Sequence, residues 1–196
     1  GGQEISATEF MPVAEAYDLS GAIDHFLLQK ILQQSLKEAI AINLSAATAA
    51  TSKYHTQLID KLETLSSTLR GKIHFELSEQ IFTYGEKEAK SFITQLTELG
   101  FRVGLDKVGA TLTSFNHLKN LNLAYLKLDG SFAKDLKDNT IKQELILNLL
   151  SISTNLDMIL IATSIESESQ LKQFQELGIT YYQGHYIQSP SYFDLK

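Results

Sequence analysis

The strongest constraint on the fold is a pattern that recurs along the chain. A segment with helical periodicity is followed by a glycine or polar break and then by a short β-rich apolar segment that ends in a polar residue. In KEAKSFITQLTELG, residues 87–100, apolar side chains recur every three or four positions, and Gly100 stands where a left-handed helix cap favours glycine. FRVGLD then reads as a strand, and QLKQFQELG followed by ITYYQG repeats the arrangement. The pattern indicates βα units in series.

Six strands are predicted in this way: AIAINLS, KIHFELS, FRVGLD, AYLKLD, MILIATS and ITYYQG. Their nearly continuous apolar character is typical of parallel strands that are buried on both faces. Helical periodicity at residues 21–36 and 140–153 supplies further helices of the same alternation. The predicted class is α/β, either a (β/α) barrel or an open doubly wound sheet.

Composition narrows the class of protein. A chain of 196 residues with 43% hydrophobic and 20% charged residues predicts a single globular domain over residues 1–196. The absence of cysteine excludes disulfide scaffolds, thiolate metal clusters and a cysteine nucleophile. A net charge of −6 disfavours direct nucleic-acid binding.

The apolar runs are much shorter than the roughly 20 residues of a membrane helix, so this fragment has no predicted membrane segment. We expect a cytoplasmic location, which includes the cytoplasmic part of a membrane-anchored protein.

Polar residues fall at or near the C-terminal end of every predicted strand. They are Asn43, Glu76, Asp106, Lys127, Thr163 and Gln183. In a (β/α) barrel these ends converge on one mouth, where active sites lie. A polar residue that merely closes a strand is the simpler interpretation of any one position, but six in succession predict a site.

The motifs at these positions resemble a known family. NLS at 43–45, FELSE at 75–79, LDKVG at 105–109, YLKLDGSF at 125–132, IATSIES at 161–167 and QGHYIQSP at 183–190 resemble, in order and spacing, the EAL domain. That domain is the bacterial phosphodiesterase module that linearises cyclic di-GMP on a modified TIM barrel. The resemblance implies a modified TIM (β/α) barrel of the EAL type. Six strands do not close an eight-stranded barrel, so we expect the region of the first strand, with the Glu-Ala-Leu signature, to be absent from this N-terminally incomplete domain.

The resemblance also implies roles for individual residues. Asn43, Glu76 and Asp106 match metal ligands of the family, Lys127 matches a lysine near the attacking water, and Gln183 matches a glutamine of the site wall. Two glutamates match residues that support the site and its loops: Glu79 and Glu166. Chemistry of this kind uses two divalent cations with oxygen ligands.

Two departures from the family pattern decide the predicted activity. Lys107 stands where the family has a second aspartate that binds the second metal, and Thr163 replaces a glutamate assigned to metal binding or to the general base. An ammonium cannot ligate a cation, and like charges about 4 Å apart repel by about 4 kcal/mol at an effective dielectric of about 20. The threonine hydroxyl is no base near neutral pH. We therefore predict that the two-metal Mg/Mn site is lost, that no cofactor is bound and that no catalytic residue remains. One alternative leaves a single-metal site: Lys107 points outward, because successive residues of a strand face opposite ways.

Two functions remain open from the sequence. The first is a receptor that binds cyclic di-GMP through Asn43, Glu76, Asp106, Lys107, Lys127 and Gln183 without cleaving it and signals to a partner, as degenerate Lap-type modules do. The second is a nucleotide-independent interaction scaffold of a degenerate GGDEF–EAL regulator of the Csr type, with candidate surfaces at residues 26–32 and 82–84. A slow phosphodiesterase is a weaker third option. The expected partners are cyclic di-GMP, and a protein partner or an upstream GGDEF-like domain, with a homodimer as a further option.

Overall fold

A computed structural model describes residues 5–50, 52–110 and 118–191. Within them, six parallel strands form one sheet in the sequential order β1-β2-β3-β4-β5-β6. The strands are β1 (Ile40–Leu44), β2 (Ile73–Ser78), β3 (Arg102–Val108), β4 (Tyr125–Leu128), β5 (Ile159–Ala162) and β6 (Tyr181–Tyr182). Five of them lie within the segments that the sequence predicts, and β3 extends two residues beyond its predicted segment, which ends at Asp106. A strand order without reversal is that of a (β/α) barrel, and it excludes the doubly wound alternative, whose strand order reverses.

Helices precede and connect the strands. They are α1 (Ala7–Ala16), α2 (Ser20–Leu32), α3 (Ala46–Ala50), α4 (Ser52–Glu63), α5 (Ser67–Arg70), α6 (Ile81–Tyr84), α7 (Glu86–Glu98), α8 (Thr140–Asn155) and α9 (Glu168–Glu176). Two 3₁₀ helices, Gly130–Ala133 and Leu136–Asp138, follow β4. Residues 82–84, expected as a loop, belong to the short helix α6.

The core lies between the sheet and the helices that cover it. The predicted apolar face of α7 is buried at Ala89, Phe92, Ile93 and Leu96, and it packs on β3. Phe75 of β2 meets Phe101, whose ring centroid lies 5.2 Å away. The 3.6-residue periodicity thus identified the buried side of this helix correctly.

Burial on both faces, which the apolar runs predict, is wrong for the two outer strands of the described sheet. In β1, Ala41 and Asn43 are exposed while Ile42 and Leu44 are buried, and in β6 Tyr181 is exposed. By contrast, every residue of β4 is buried. β1 and β6 each pair with one strand only among the described residues, so one edge of each lacks a neighbouring strand whose side chains would cover it.

No helix among the described residues is long and apolar enough to cross a membrane.

Candidate functional site

The strand register brings the predicted residues onto one face of the sheet. Asn43 pairs with Glu76, Glu76 pairs with Gly104, and Gly104 pairs with Tyr125. Because side chains alternate along a strand, residues two positions further on, including Asp106 and Lys127, belong to the same face. Asn43, Glu76, Asp106 and Lys127, widely separated in sequence, therefore share one side at the C-terminal ends of β1–β4.

Glu76 is the centre of this face. Its Oε2 accepts a hydrogen bond from Lys127 Nζ at 2.8 Å, and its Oε1 accepts one from Tyr125 Oη at 3.0 Å. The three residues are buried, with exposed fractions of 5% for Glu76, 8% for Lys127 and 6% for Tyr125. Burial, followed by the negative charge of Glu76 and the hydrogen bond to it, raises the pKa of the Tyr125 phenol well above its ordinary value, so the phenol is a donor throughout the neutral range.

Gly104 makes room for this arrangement. A Cβ at Gly104 would lie 2.1 Å from Tyr125 Cε2, so any side chain there would displace the tyrosine ring. The ring therefore packs directly on the backbone of β3 while its hydroxyl reaches Glu76 on β2. Neither Tyr125 nor Gly104 was identified as a site residue from the sequence, and the pairing of a small residue with a large one across neighbouring strands was the available signal.

Lys107 lies in a β-bulge. The register of β3 against β4 shifts between Leu105 and Val108, and Lys107 has a positive φ of 57°. A bulge interrupts the alternation of faces, so the argument that Lys107 must point away from Asp106 does not apply here. The lysine is exposed and makes no ion pair with the described residues, whereas Asp106 is half-buried. Lys107 therefore stands next to Asp106 in the chain at the end of β3, with a side chain that is exposed and has no ion pair among the described residues.

Thr163 follows β5 and has a structural partner. Its hydroxyl donates to the carbonyl of Leu128, at the end of β4, over 2.7 Å. The next residue, Ser164, has a positive φ of 59°. The Thr163 hydroxyl thus ties β5 to β4.

Two strand ends carry a backbone conformation that is unusual for their residue types. Six non-glycine residues of the described chain have positive φ, and four of them are Asp or Asn, which tolerate this conformation: Asp18, Asn120, Asp135 and Asp157. The other two are Lys107 and Ser164, both at the ends of strands that carry candidate site residues. Unusual backbone geometry of this kind is common at functional sites.

Of the two predicted supporting glutamates, the structure gives one a clear role. Glu79 is buried, its Oε2 accepts from Gly109 N at 3.1 Å, and its own N donates to Asp106 O at 2.9 Å. It therefore joins the end of β2 to the bulged end of β3. Glu166 is exposed, and only its backbone N is engaged, by Gln170 Oε1 at 2.7 Å.

Gln183 is exposed and follows β6 directly. Among the described residues, its backbone forms hydrogen bonds with the end of β5 and with the segment that follows β5. Gln183 N donates to Ala162 O at 2.8 Å, and Ile165 N donates to Gln183 O at 3.1 Å. Gly184 approaches the same loop so closely that a Cβ would lie 2.2 Å from Ile165 N. The side chains of Asn43, Asp106 and Gln183 make no hydrogen bond with the described residues and are left to the open end of the sheet.

A buried carboxylate behind β1 was missed by the sequence analysis. Asp24 of α2 accepts hydrogen bonds on Oδ2 from Ser45 N at 2.8 Å, Ser45 Oγ at 2.6 Å and Thr48 Oγ1 at 2.6 Å. Burial raises the pKa of Asp24 above its ordinary value, while these hydrogen bonds oppose the shift. Asp24 stands at helical spacing from Leu28 and Ile31, and a carboxylate in line with these apolar residues was the signal in the sequence.

The pair of divalent cations that the resemblance implies requires free acidic oxygens at this site. Both oxygens of Glu76 already accept hydrogen bonds, and the ammonium of Lys127 lies 2.8 Å from one of them. A cation at Glu76 would have to replace these hydrogen bonds, and Lys107, next to Asp106 in the sequence, supplies no oxygen ligand. The described residues include no cluster of three or more His, Cys, Asp and Glu side chains suited to a metal ion.

A parallel sheet of sequential order with a polar, carboxylate-centred face at its strand ends defines a domain of the (β/α) barrel class. Residues 1–190 match the EAL domain, and the chain belongs to that family. It is 28% identical over 193 residues to the cyclic di-GMP phosphodiesterase PdeF of Escherichia coli, covering 95% of this chain and 26% of that protein. It is 26% identical over 192 residues to the RNase E specificity factor CsrD of the same organism, covering 96% of this chain and 30% of that protein. The chain thus spans less than a third of the length of these curated relatives.

Solved structures agree with the fold. The EAL domain of FimX from Pseudomonas aeruginosa, bound to c-di-GMP, superposes with a TM-score of 0.82 at 28% identity over all of this chain and 82% of that one. The S helix-GGDEF-EAL structure of LapD from Vibrio cholerae superposes with a TM-score of 0.88 at 22% identity over 96% of this chain and 47% of that one. The predicted modified TIM barrel of the EAL type is confirmed.

Proposed function

We propose that this chain is a catalytically inactive EAL domain that binds cyclic di-GMP at the C-terminal ends of its strands and relays the occupancy of that site to a protein partner in the bacterial cytoplasm. Membership of the EAL family and likeness to the FimX domain, whose structure contains c-di-GMP, support the choice of ligand. The arrangement around Glu76, Lys107 and Thr163 supports the loss of hydrolysis. An upstream GGDEF-like domain or a second copy of the chain would be a suitable partner.

The observation that carries the proposal is the free ammonium at the end of β3. Lys127 is buried and paired with Glu76, so its charge is already compensated. Lys107 is exposed and unpaired among the described residues, one position from Asp106. A cyclic dinucleotide carries two phosphodiester charges, and a cation at this position can neutralise one of them without a metal.

Hydrolysis requires groups that this site lacks. A two-metal mechanism activates water with acidic ligands, and the positions that the family fills with a second aspartate and a glutamate hold Lys107 and Thr163. The Thr163 hydroxyl is committed to the Leu128 carbonyl. We therefore exclude Mg²⁺ and Mn²⁺ from the proposed cofactors and assign no catalytic residue.

Calorimetric titration of the chain with cyclic di-GMP, with Mg²⁺ and then with a chelator, tests binding. We expect saturable binding that is equal in both conditions and weakens as salt rises, because an exposed lysine contributes. Lys107→Met should weaken affinity by about tenfold to a hundredfold, in line with the loss of a charged hydrogen bond. Lys172→Met, which removes an exposed lysine of α9, is the matched control and should leave affinity unchanged. Absence of heat in the wild type would overturn the receptor role.

Incubation with cyclic di-GMP and Mn²⁺, followed by chromatography, tests hydrolysis. We expect no linear dinucleotide from the wild type. The double variant Lys107→Asp with Thr163→Glu restores both acidic side chains, and we expect it to gain Mn²⁺ binding in calorimetry. Linear product from the wild type would contradict the assignment as an inactive domain and support the slow phosphodiesterase.

A nucleotide-independent scaffold is the second candidate. Large apolar side chains are exposed along α1 and α2: Val13, Tyr17, Leu19, Phe26 and Leu27. The candidate surface at residues 26–32 is thus apolar in part, although Leu28 and Ile31 of the same segment are core residues. An extensive apolar surface is typical of a binding face for another protein. Two results together would favour this function. The chain would capture the same partner from cell extract with and without cyclic di-GMP, and calorimetry would detect no binding of the nucleotide.

A further inference from the structure

The turn after β1 is held from behind by a buried carboxylate. Asp24 has an exposed fraction of only 4%, and its Oδ2 accepts three hydrogen bonds from Ser45 and Thr48, each between 2.6 and 2.8 Å. Ser45 immediately follows β1, which carries Asn43, and Thr48 lies in α3 and is fully buried. A carboxylate removed from water is costly unless its hydrogen bonds are kept, so this junction has a single favoured geometry.

The junction lies next to the proposed ligand site. Asn43 precedes Ser45 by two residues, pairs in register with Glu76, and is exposed, and its amide has no hydrogen bond with the described residues. The position of the turn fixes the end of β1 and therefore the position of this amide.

The other end of the junction is helix α2, which has two different faces. Asp24, Leu28 and Ile31, spaced by four and three residues, are buried against the interior. Phe26 is 61% exposed, and the Nζ of Lys30 lies 5.6 Å from the centroid of its ring on the outer face. One helix thus joins the buried carboxylate to an exposed apolar and cationic surface.

Helix α2 is also fixed to the neighbouring helix α4. A Cβ at Gly21 would lie 2.5 Å from Tyr54 Cδ2, and His25 Nε2 lies 3.1 Å from Tyr54 O. Closely packed contacts of this kind move together rather than deform independently. A change in the turn after β1 is therefore transmitted to α2 as a whole.

We propose that Asp24 is a positioning residue of the strand-end site, which couples the turn after β1 to helix α2 so that a ligand at Asn43 alters the order of that helix. The response to ligand rests on the proposed function, but the coupling itself is a property of the free chain. Through this coupling, a ligand bound at the strand ends would change the surface of α2 around Phe26.

Hydrogen exchange read by mass spectrometry tests the coupling without any ligand. Thr48→Val removes one hydrogen bond of the junction, and Asp24→Asn removes the negative charge of the acceptor, each with little change in volume. We expect the amides of residues 44–48 and of α2 to exchange about tenfold faster in both variants, and by similar factors, because they open as one unit. Ser153→Ala, which removes a buried hydroxyl of α8 from its bond to Leu150 O, is the control and should leave both segments unchanged. Faster exchange in the turn alone would overturn the coupling.

The same measurement with cyclic di-GMP, run beside calorimetry, tests the response to ligand. In the wild type we expect protection of both segments, and in Thr48→Val protection of the turn with little change in α2. Binding that leaves α2 unprotected in the wild type would overturn the inference and leave the proposed function intact. Absence of heat together with coupled exchange in the free variants would overturn the proposed function and support the positioning role of Asp24.

Discussion

Lys127 and Glu76 form a buried ion pair whose contribution depends on both partners. Removal of one partner leaves the other charge buried and uncompensated, which costs about 3–5 kcal/mol, whereas replacement of both by neutral groups of similar size costs much less. We expect Lys127→Met to lower the free energy of unfolding by about 3 kcal/mol and Glu76→Gln with Lys127→Met to lower it by less. Urea denaturation of the single and double variants measures the difference. Equal losses would show that the pair is not coupled as its 2.8 Å contact indicates.

Ser164 carries a side chain in the left-handed region, with φ of 59°. An L-residue there costs about 1 kcal/mol or more, and glycine relieves this cost while it gains freedom in the unfolded chain. Ser164→Gly should therefore raise the free energy of unfolding by about 0.5 kcal/mol. Ser169→Gly in α9, where a helical conformation is required, is the matched control and should lower it by about 0.5 kcal/mol. If Ser164→Gly instead lowers the free energy of unfolding, the contacts of the serine side chain stabilise the fold by more than the left-handed backbone conformation destabilises it.

His74 gives the site face a defined pH dependence. Burial, aided by the charge of Arg102, lowers the pKa of His74 from its ordinary value of 6.5, although Glu76 opposes the shift. The neutral imidazole is thus favoured in the folded state, so its stabilisation is complete above pH 6.5 and is lost as pH falls through the lowered value. We expect wild type to lose more stability between pH 7.5 and about pH 5 than His74→Phe, which keeps an aromatic ring near Tyr125. Parallel losses in urea denaturation at the two pH values would refute this assignment.

At the scale of elements, one arginine joins the C-terminal ends of two helices, α4 and α7. Arg70, at the end of α5, donates to the carbonyls of Leu65 at 2.9 Å, Leu99 at 2.9 Å and Glu63 at 2.7 Å. Hydrogen bonds from a charged donor contribute more than neutral ones, so Arg70→Ala should lower the free energy of unfolding by about 2–3 kcal/mol. Lys172→Ala breaks only an exposed i,i+4 ion pair with Glu168 and should cost less than about 0.5 kcal/mol. Similar losses in both variants would contradict the proposed role of Arg70.

The elements themselves follow closely from the sequence, because strand and helix periodicities reflect burial. The six strands and the buried face of α7 were predicted from apolar spacing alone. The bulge at Lys107 was not, since it depends on how β3 pairs with β4 rather than on the composition of β3. The alternation of side chains along a strand therefore does not predict which way Lys107 points. The register of β3 against β4 shows that this alternation is interrupted at the bulge.

At the scale of the whole molecule, the sequence identified the charged residues of the site better than the residues that hold them. Glu76 and Lys127 were assigned to one mouth from strand ends and family resemblance, and they lie 2.8 Å apart. Tyr125, Gly104 and Asp24 were missed because their roles arise from contacts between elements far apart in sequence. A tyrosine in an apolar strand and an aspartate in an apolar helix look like ordinary variation until the partner across the fold is known.

Ligand-dependent stability of the whole chain separates the nucleotide from the metal. A ligand at 100 times its dissociation constant stabilises the folded state by about 2.7 kcal/mol, which for a domain of this size corresponds to about 5–10 °C in Tm. We expect cyclic di-GMP alone to produce such a shift in thermal denaturation and millimolar Mn²⁺ alone to produce none, because Lys107, next to Asp106, supplies no oxygen ligand for a cation. Lys107→Glu should remove most of the shift by the nucleotide, whereas Lys172→Glu, with the same change of charge on the exposed face of α9, should retain it. A rise in Tm with Mn²⁺ alone would contradict this expectation even if the nucleotide also binds, since it would show that the acidic residues at the strand ends still hold a cation.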